Sequence, residues 1–507
     1  METLQIQRVS SFQHILTLVR SLLEQTSNYK KQSTMKFIYK TLVLSLFTGL
    51  VFSSCDDFVE DVDIVDPVAE DGEDYLPVEF LTSVYGMHTD FSYAFSYLGI
   101  TEIISDNSDK GSSPTDSGAD KRVLDDLTFT SSSGSVTAMW TQWYKTVGRA
   151  SQAIDIAQNY EGQTQVPSSR VVGEAKFLRA LNYFWLVRSF GAIPIQEIDL
   201  VERAPVDEVY AYIEQDLLDA IDALPLKNDY ATEDLGRATR GAAQGLLAKV
   251  YLYQERWQDA ADMANNVITS NQYSLDPDYA NIWRETGENG PGSLFEIQAR
   301  GEIPQHGVQQ YSQTQGARGT GGWGWGFNTP SQNLEDAFNA AGDDIRRDAT
   351  IIFAGETLFD GREVNAGVEN PRYNEKAYSS SNAGQSDGDK NIRVLRYAEV
   401  LLIRAEALNE LGQTSAALAP LNQVRTRVSL PAVTSTDQVT VRQAIWTERR
   451  LELAMEHDRW FDLNRTGQAQ AAMAADGKTF VTGKHELFPI PNNQLVQTPE
   501  MTQNPGY

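Results

Sequence analysis

The chain has 507 residues, 42 Lys and Arg against 69 Asp and Glu, a formal net charge of −27 and a single cysteine. Its 41% apolar and 10% aromatic content suits a large globular protein, and the excess of acid argues against a nucleic-acid partner, since phosphate contact needs clustered Lys and Arg. One cysteine excludes an intrachain disulfide or a thiolate zinc site, and the five histidines show no HExxH spacing, so no cofactor is expected.

From Met35 the chain reads Met35-Lys36-Phe37-Ile38-Tyr39-Lys40, an apolar stretch Leu42–Phe52, then Ser53-Ser54-Cys55-Asp56-Asp57. A basic start, an apolar stretch too short to span a bilayer and a small-residue site describe a secretory signal at 35–54. Small residues directly before a cysteine look like a bacterial lipoprotein box, in which the Cys55 thiol is acylated and begins the mature chain. Phe52 stands where such boxes usually carry Leu. Residues 1–34 lie upstream of a complete signal and read as an over-extended gene start. Residues 55–75, beginning Cys55-Asp56-Asp57-Phe58-Val59-Glu60-Asp61, read as an acidic solvated tether.

Apolar and small residues then recur at helical spacing, which predicts helices over Val136–Tyr160, Arg170–Phe190, Val206–Leu224, Arg240–Gln254 and Trp257–Ser270. Further on, the pattern predicts Val394–Leu411, Ser415–Val428 and one long helix Val439–Leu463. Two of the pairs share a frame. Ala248, Tyr251, Ala260, Ala264 and Val267 in the first match Ala405, Leu408, Ala417, Leu421 and Val424 in the second. Small residues at those places let antiparallel helices approach closely, as in tetratricopeptide units. The fold class is therefore mainly α, a tetratricopeptide-like helical-repeat scaffold with long irregular loop insertions and little β structure. Two plain amphipathic pairs would give a similar pattern.

The helical regions 76–275 and 391–507 flank 276–390, which is rich in Gly, Asn, Ser and Gln and reads as a loop-rich ligand-binding insertion. Its sharpest feature is Trp323-Gly324-Trp325-Gly326-Phe327, three rings separated only by glycine. Such rings either stack on the C–H faces of sugars or anchor the loop to the body. Tyr311, Gln313, Gln315 and Arg318 lie just upstream and could supply polar contacts. An earlier polar loop, 105–121, carries Asp106, Asn107, Asp109 and Asp116. It looks like the start of a calcium loop but lacks the closing Glu, leaving structural calcium as an open alternative.

No GxSxG, Walker or dinucleotide fingerprint is present. The run Glu448-Arg449-Arg450-Leu451-Glu452 to His457-Asp458-Arg459-Trp460 mixes charges at helical spacing, a pattern that points to internal salt bridges before a catalytic centre.

Several stretches together resemble the SusD/RagB family of Bacteroidota surface lipoproteins. They are Glu174–Phe184 through Phe190-Gly191-Ala192-Ile193-Pro194, Arg240–Tyr253, Glu399–Ala407 with Leu421, Asn422 and Arg425, and Glu448-Arg449-Arg450 with Arg459–Leu463. The endings Leu487–Pro491 and Gln503–Tyr507 complete the set. The resemblance implies a non-enzymatic, acylated protein on the outer face of the outer membrane. Such a protein captures an oligosaccharide, or in some members a peptide, over a partner TonB-dependent transporter resembling SusC. A secreted glycoside hydrolase with a helical body is the remaining alternative. Trp323 and Trp325, followed by Asn328-Thr329-Pro330, sit in a recognisable family stretch near the ligand; Asp106 and Asn107 occupy the early loop that often adds polar contacts. The acid after Cys55 resembles the family's surface-export signals.

Overall fold

The computed structural model describes residues 76–116, 118–196, 202–301, 307–380 and 387–507. The upstream stretch 1–34, the signal, Cys55 and the tether up to residue 75 lie outside the described residues. Leu76–Tyr507 forms one compact unit.

Ten helices carry the scaffold: α1 (Pro77–Gly86), α2 (Gly134–Asn159), α3 (Ser168–Phe190), α4 (Val206–Ala223), α5 (Arg240–Tyr253), α6 (Trp257–Thr269), α7 (Tyr397–Glu410), α8 (Thr414–Arg427), α9 (Gln438–Glu452) and α10 (Arg459–Arg465). From α2 to α8 each helix packs on the next, and α9 packs on α7 and α8. The chain leaves this array after α6 and returns at α7, which lies directly against α6. The two repeat pairs are thus neighbours in space with the whole insertion looped out between them. Ala248, Ala260, Ala264, Ala405 and Ala417 are fully buried, and Tyr251, Val267, Leu408, Leu421 and Val424 are buried beside them. The small residues set the close helix approach, and the large ones fill the seam between pairs.

Two expected helices are shorter than their periodicity suggests. Val394–Arg396 belongs to a strand, because Ile392–Arg396 hydrogen-bonds to Ser293–Ile297, and helix begins only at Tyr397. The long helix Val439–Leu463 breaks into α9 and α10. Met455 and His457 take left-handed backbone angles (φ 62° and 71°), and the His457 N–H donates to Glu102 Oε2 at 2.7 Å instead of continuing the helix.

Among the described residues, six short strands make three antiparallel ribbons: β1 (Ser108–Gly111) with β3 (Phe327–Pro330), β2 (Ser293–Ile297) with β6 (Ile392–Arg396), and β4 (Ile351–Phe353) with β5 (Arg372–Asn374). The insertion contributes four of them and has small apolar clusters of its own, one built from Ala317, Trp323, Ile352, Leu358, Val364, Tyr373 and Tyr378.

The charge-rich run forms internal ion pairs. Glu448 and Glu452, both fully buried, form ion pairs with Arg346 at 2.7 and 3.0 Å, and Arg425 and Arg396 reach them at 2.7 and 2.9 Å. Arg449 pairs with Asp462 at 2.9 Å and Glu399 at 3.1 Å, while Asp458 takes Arg188 at 2.9 Å. Removing one partner of such a pair strands a buried charge, so the network cross-links α3, α7, α8, α9 and α10.

Candidate functional site

The glycine-rich run is held by backbone contacts at close range. Trp323 and Gly324 N–H groups donate to the Ala317 carbonyl at 2.7 and 2.9 Å, and the Trp325 N–H donates to the Gln313 carbonyl at 2.8 Å. A Cβ on Gly324 would lie 2.4 Å from that same Gln313 oxygen. Only glycine permits the approach, so position 324 fixes where its two tryptophans point.

The three rings of the run have different fates. Trp323 is 8% exposed, packs edge-on against Tyr378 at 5.5 Å and has the Arg362 guanidinium 4.2 Å from its ring. Phe327 is buried against Phe95 at 5.1 Å, with Lys110 Nζ at 5.3 Å. Trp325 alone of the three stays half-buried, in edge contact with Phe91 at 6.1 Å and Phe95 at 6.2 Å. Phe91 and Phe95 are half-buried too and stack on each other at 5.8 Å. Lys121 Nζ lies 3.8 Å over the Phe95 ring, held by Asp120 at 3.0 Å and donating to Ser135 Oγ at 2.7 Å.

Phe91, Phe95 and Trp325 therefore form a partly exposed aromatic platform. The sequence reading missed the two phenylalanines. Their signal was the i, i+4 spacing of large rings in Phe91-Ser92-Tyr93-Ala94-Phe95, which puts both on one side of a helical turn. The cations near the platform are neutralised within the protein: Lys121 by Asp120, Lys110 by Asp116 at 3.0 Å, and Arg318 by Glu369 at 3.2 Å. Gln310 and Gln313, joined at 3.2 Å, supply neutral amides alongside.

Asp106 and Asn107 do come to this part of the molecule, because β1 pairs with β3, but they point inward. Asp106 is 2% exposed and its carboxylate receives Arg459 Nε and Nη2 at 2.7 and 2.8 Å, with Arg450 at 3.2 Å. Burial alone would raise its carboxyl; Arg459, then Arg450, hold it at about 2. Asn107 is fully buried, its side-chain oxygen accepts from Arg450 Nε at 3.0 Å, and its carbonyl accepts from the Ser331 N–H at 2.9 Å. The expectation that these two offer polar contacts to a ligand is corrected: their polar atoms named here are engaged with the protein, and they position the loop.

Tyr311 is likewise buried, with its hydroxyl 3.0 Å from His457 Nε2. The Thr101 hydroxyl donates to the Tyr97 carbonyl at 2.6 Å, so it must accept from His457 Nδ1 at 3.0 Å. His457 Nε2 then accepts from Tyr311, and burial keeps the imidazole neutral, with its pKa down at about 3. Arg318 is one-third exposed and ties Ser112 to Glu369 behind the run. Of the residues anticipated from sequence, Trp325 has the best access to solvent around a ring face, and Arg318 flanks it.

A lysine from the C-terminal region reaches the start of the early loop. Lys478 Nζ lies 2.7 Å from Asp125 and 3.1 Å from Asp476, and donates to the Ser105 carbonyl at 3.3 Å. Among the described residues no group of three or more His, Cys, Asp or Glu is arranged to hold a metal ion.

Two families match the sequence. One, described as the SusD family, covers residues 291–507, and one described as starch-binding and associating with the outer membrane covers residues 81–252. The chain is similar to SusD-like protein P2 of Formosa agariphila, 31% identical over 432 residues, 76% of this chain and 84% of that one. It is 26% identical to the starch-binding protein SusD of Bacteroides thetaiotaomicron over 427 residues, 68% and 74% of the two chains. A laminarin-binding SusD-like protein superposes with a TM-score of 0.72 at 28% identity, covering 85% of this chain and 99% of that one. With family matches at both ends, a relative this similar across most of both chains and a shared fold, the protein belongs to the SusD/RagB family.

Proposed function

We propose that this is a glycan-binding surface lipoprotein that captures an oligosaccharide at the Phe91–Phe95–Trp325 platform and passes it to a SusC-like TonB-dependent transporter. The observation that carries the reading is the half-exposed Trp325, held by Gly324 against two further half-exposed rings. Aromatic faces take the apolar C–H faces of a pyranose ring, and the neighbouring amides take its hydroxyls. Because the nearby cations are already paired, the platform suits a neutral sugar. The laminarin- and starch-binding relatives support the same ligand class.

The role is binding without turnover. A shallow platform gives weak, rapidly exchanging contact, and holding it beside the transporter raises the effective ligand concentration there. The acylated Cys55 would supply the anchor, since a lipoprotein's several chains hold where one does not. Structural calcium is not part of the proposal, because Asp106 of the early loop is already taken by Arg459 and Arg450 and Asp116 by Lys110.

The test is calorimetric titration of the protein with starch- and laminarin-type oligosaccharides and a peptide digest. Binding to a glucan that disappears in Trp325→Ala supports the reading. Binding to peptides alone replaces it with a peptide carrier, and hydrolysis of a bound glycan would show an enzyme.

A further inference from the structure

Away from Trp325, one large ring in the insertion is left open. Phe359 is 50% exposed at the tip of the turn Thr357–Glu363, which closes through Leu358 N–H to the Arg362 carbonyl at 2.8 Å. Leaving a phenylalanine face in water forgoes the stabilisation its burial would provide, and turn tips ordinarily carry polar residues.

The ring is nevertheless held firmly. The Arg284 guanidinium lies 3.4 Å from its centroid and is itself pinned by Glu375 at 2.8 Å. Tyr378 meets it edge-on at 5.9 Å. The same arrangement occurs at Phe95, whose ring is backed by Lys121 at 3.8 Å with Asp120 holding the lysine. A cation on one face and an edge contact at the side leave one ring face for a visitor.

Phe359 is also tied to the aromatic run through buried rings. Tyr378 touches both Phe359 and Trp323, and Trp323 is separated from Trp325 by one glycine. Polar atoms stand at the ring's edge: Asp360, exposed, accepts from Tyr378 Oη at 2.7 Å and from the Arg362 N–H at 3.0 Å, and its carboxylate keeps lone pairs free.

We infer that Phe359, backed by Arg284 and flanked by Asp360, is a second saccharide-stacking platform. It takes a further sugar ring of a chain whose first ring rests on Trp325. The inference depends on the glycan reading above and adds that the ligand is a chain longer than a disaccharide. Two platforms joined by one ligand act as linked weak sites, so the second raises affinity only for molecules that reach both.

The experiment compares full-length wild type with Phe359→Ala and Phe359→Leu, the second keeping an apolar side chain on Tyr378. Each is titrated with maltohexaose and laminarihexaose and with the matching disaccharides, after confirming unchanged melting. Both variants should weaken the hexasaccharide that binds by about tenfold and leave its disaccharide unchanged, and Phe359→Trp should restore the difference. Equal hexasaccharide affinity in wild type and Phe359→Leu overturns the second platform while the Trp325 reading stands. Equal losses for hexasaccharide and disaccharide also overturn it, because Phe359 would then be part of the first site. Failure of wild type to bind either glucan sinks the glycan reading, and the second platform with it.

Discussion

Arg459 grips Asp106 through two parallel hydrogen bonds of 2.7 and 2.8 Å, joining the start of α10 to the loop that leads into β1. The pair lies in the interior, and Asp106 is the more deeply buried partner. It ties the C-terminal helices to β1, the strand paired with β3, where the aromatic run ends.

Asp106→Ala should therefore leave Arg459 charged and unpartnered and cost about 3–5 kcal/mol, as breaking one side of a buried pair does. Urea unfolding reads the loss. A midpoint equal to wild type would mean that the contact holds nothing in place.

Trp323 and Trp325 should separate cleanly by phenotype. Trp323→Ala empties a site in the insertion's own apolar cluster and should lower stability by about 3 kcal/mol. Trp325→Ala, at a half-exposed ring, should keep the melting temperature within a few degrees and lose glycan binding. Thermal unfolding beside calorimetry checks both, and the reverse assignment would refute the platform.

Gly324→Ala should impair binding without touching any ring. Its new Cβ meets the Gln313 carbonyl at 2.4 Å, so the loop must shift and Trp325 with it. Weakened glycan affinity together with altered tryptophan fluorescence is the expected result; wild-type affinity would show that the loop's geometry is unimportant.

A pH effect follows from Glu102. Burial, its largest influence, raises the carboxyl from 4.5 to about 8, and Oε1 has no hydrogen-bond partner. Between those values the unfolded chain releases this proton and the folded protein keeps it, so stability from this group is full below 4.5 and falls as pH rises toward 8. Glu102→Gln, permanently neutral, should flatten that decline. Melting temperatures at pH 5 and pH 8 test it: the variant's gain should be larger at pH 8, and an equal change at both would refute the assignment.

Anchoring is checked independently of ligand. Cys55→Ala should move the protein from the membrane fraction to the soluble one and abolish incorporation of labelled fatty acid. Retention of label in the variant would place the acylation elsewhere.

What the sequence determined by itself was the scaffold. Ala248, Ala260, Ala405 and Ala417 announce two close helix pairs because helix faces repeat locally, and burial of every residue in that frame follows from the repeat alone. The mixed charges around Glu448 and Glu452 likewise read as internal pairing, which they are. The site needed the fold. In sequence Trp323, Trp325 and Phe327 are equivalent rings among glycines, and Asp106 and Asn107 are ordinary loop polars. Exposure is set by what arrives from elsewhere in the chain: Tyr378 and Arg362 cover Trp323, Phe95 covers Phe327, and Arg459 and Arg450 claim Asp106 and Asn107. Local spacing carries no record of those long-range partners, so only the tertiary structure could leave Trp325 and Phe359, with Phe91 and Phe95, partly open to solvent.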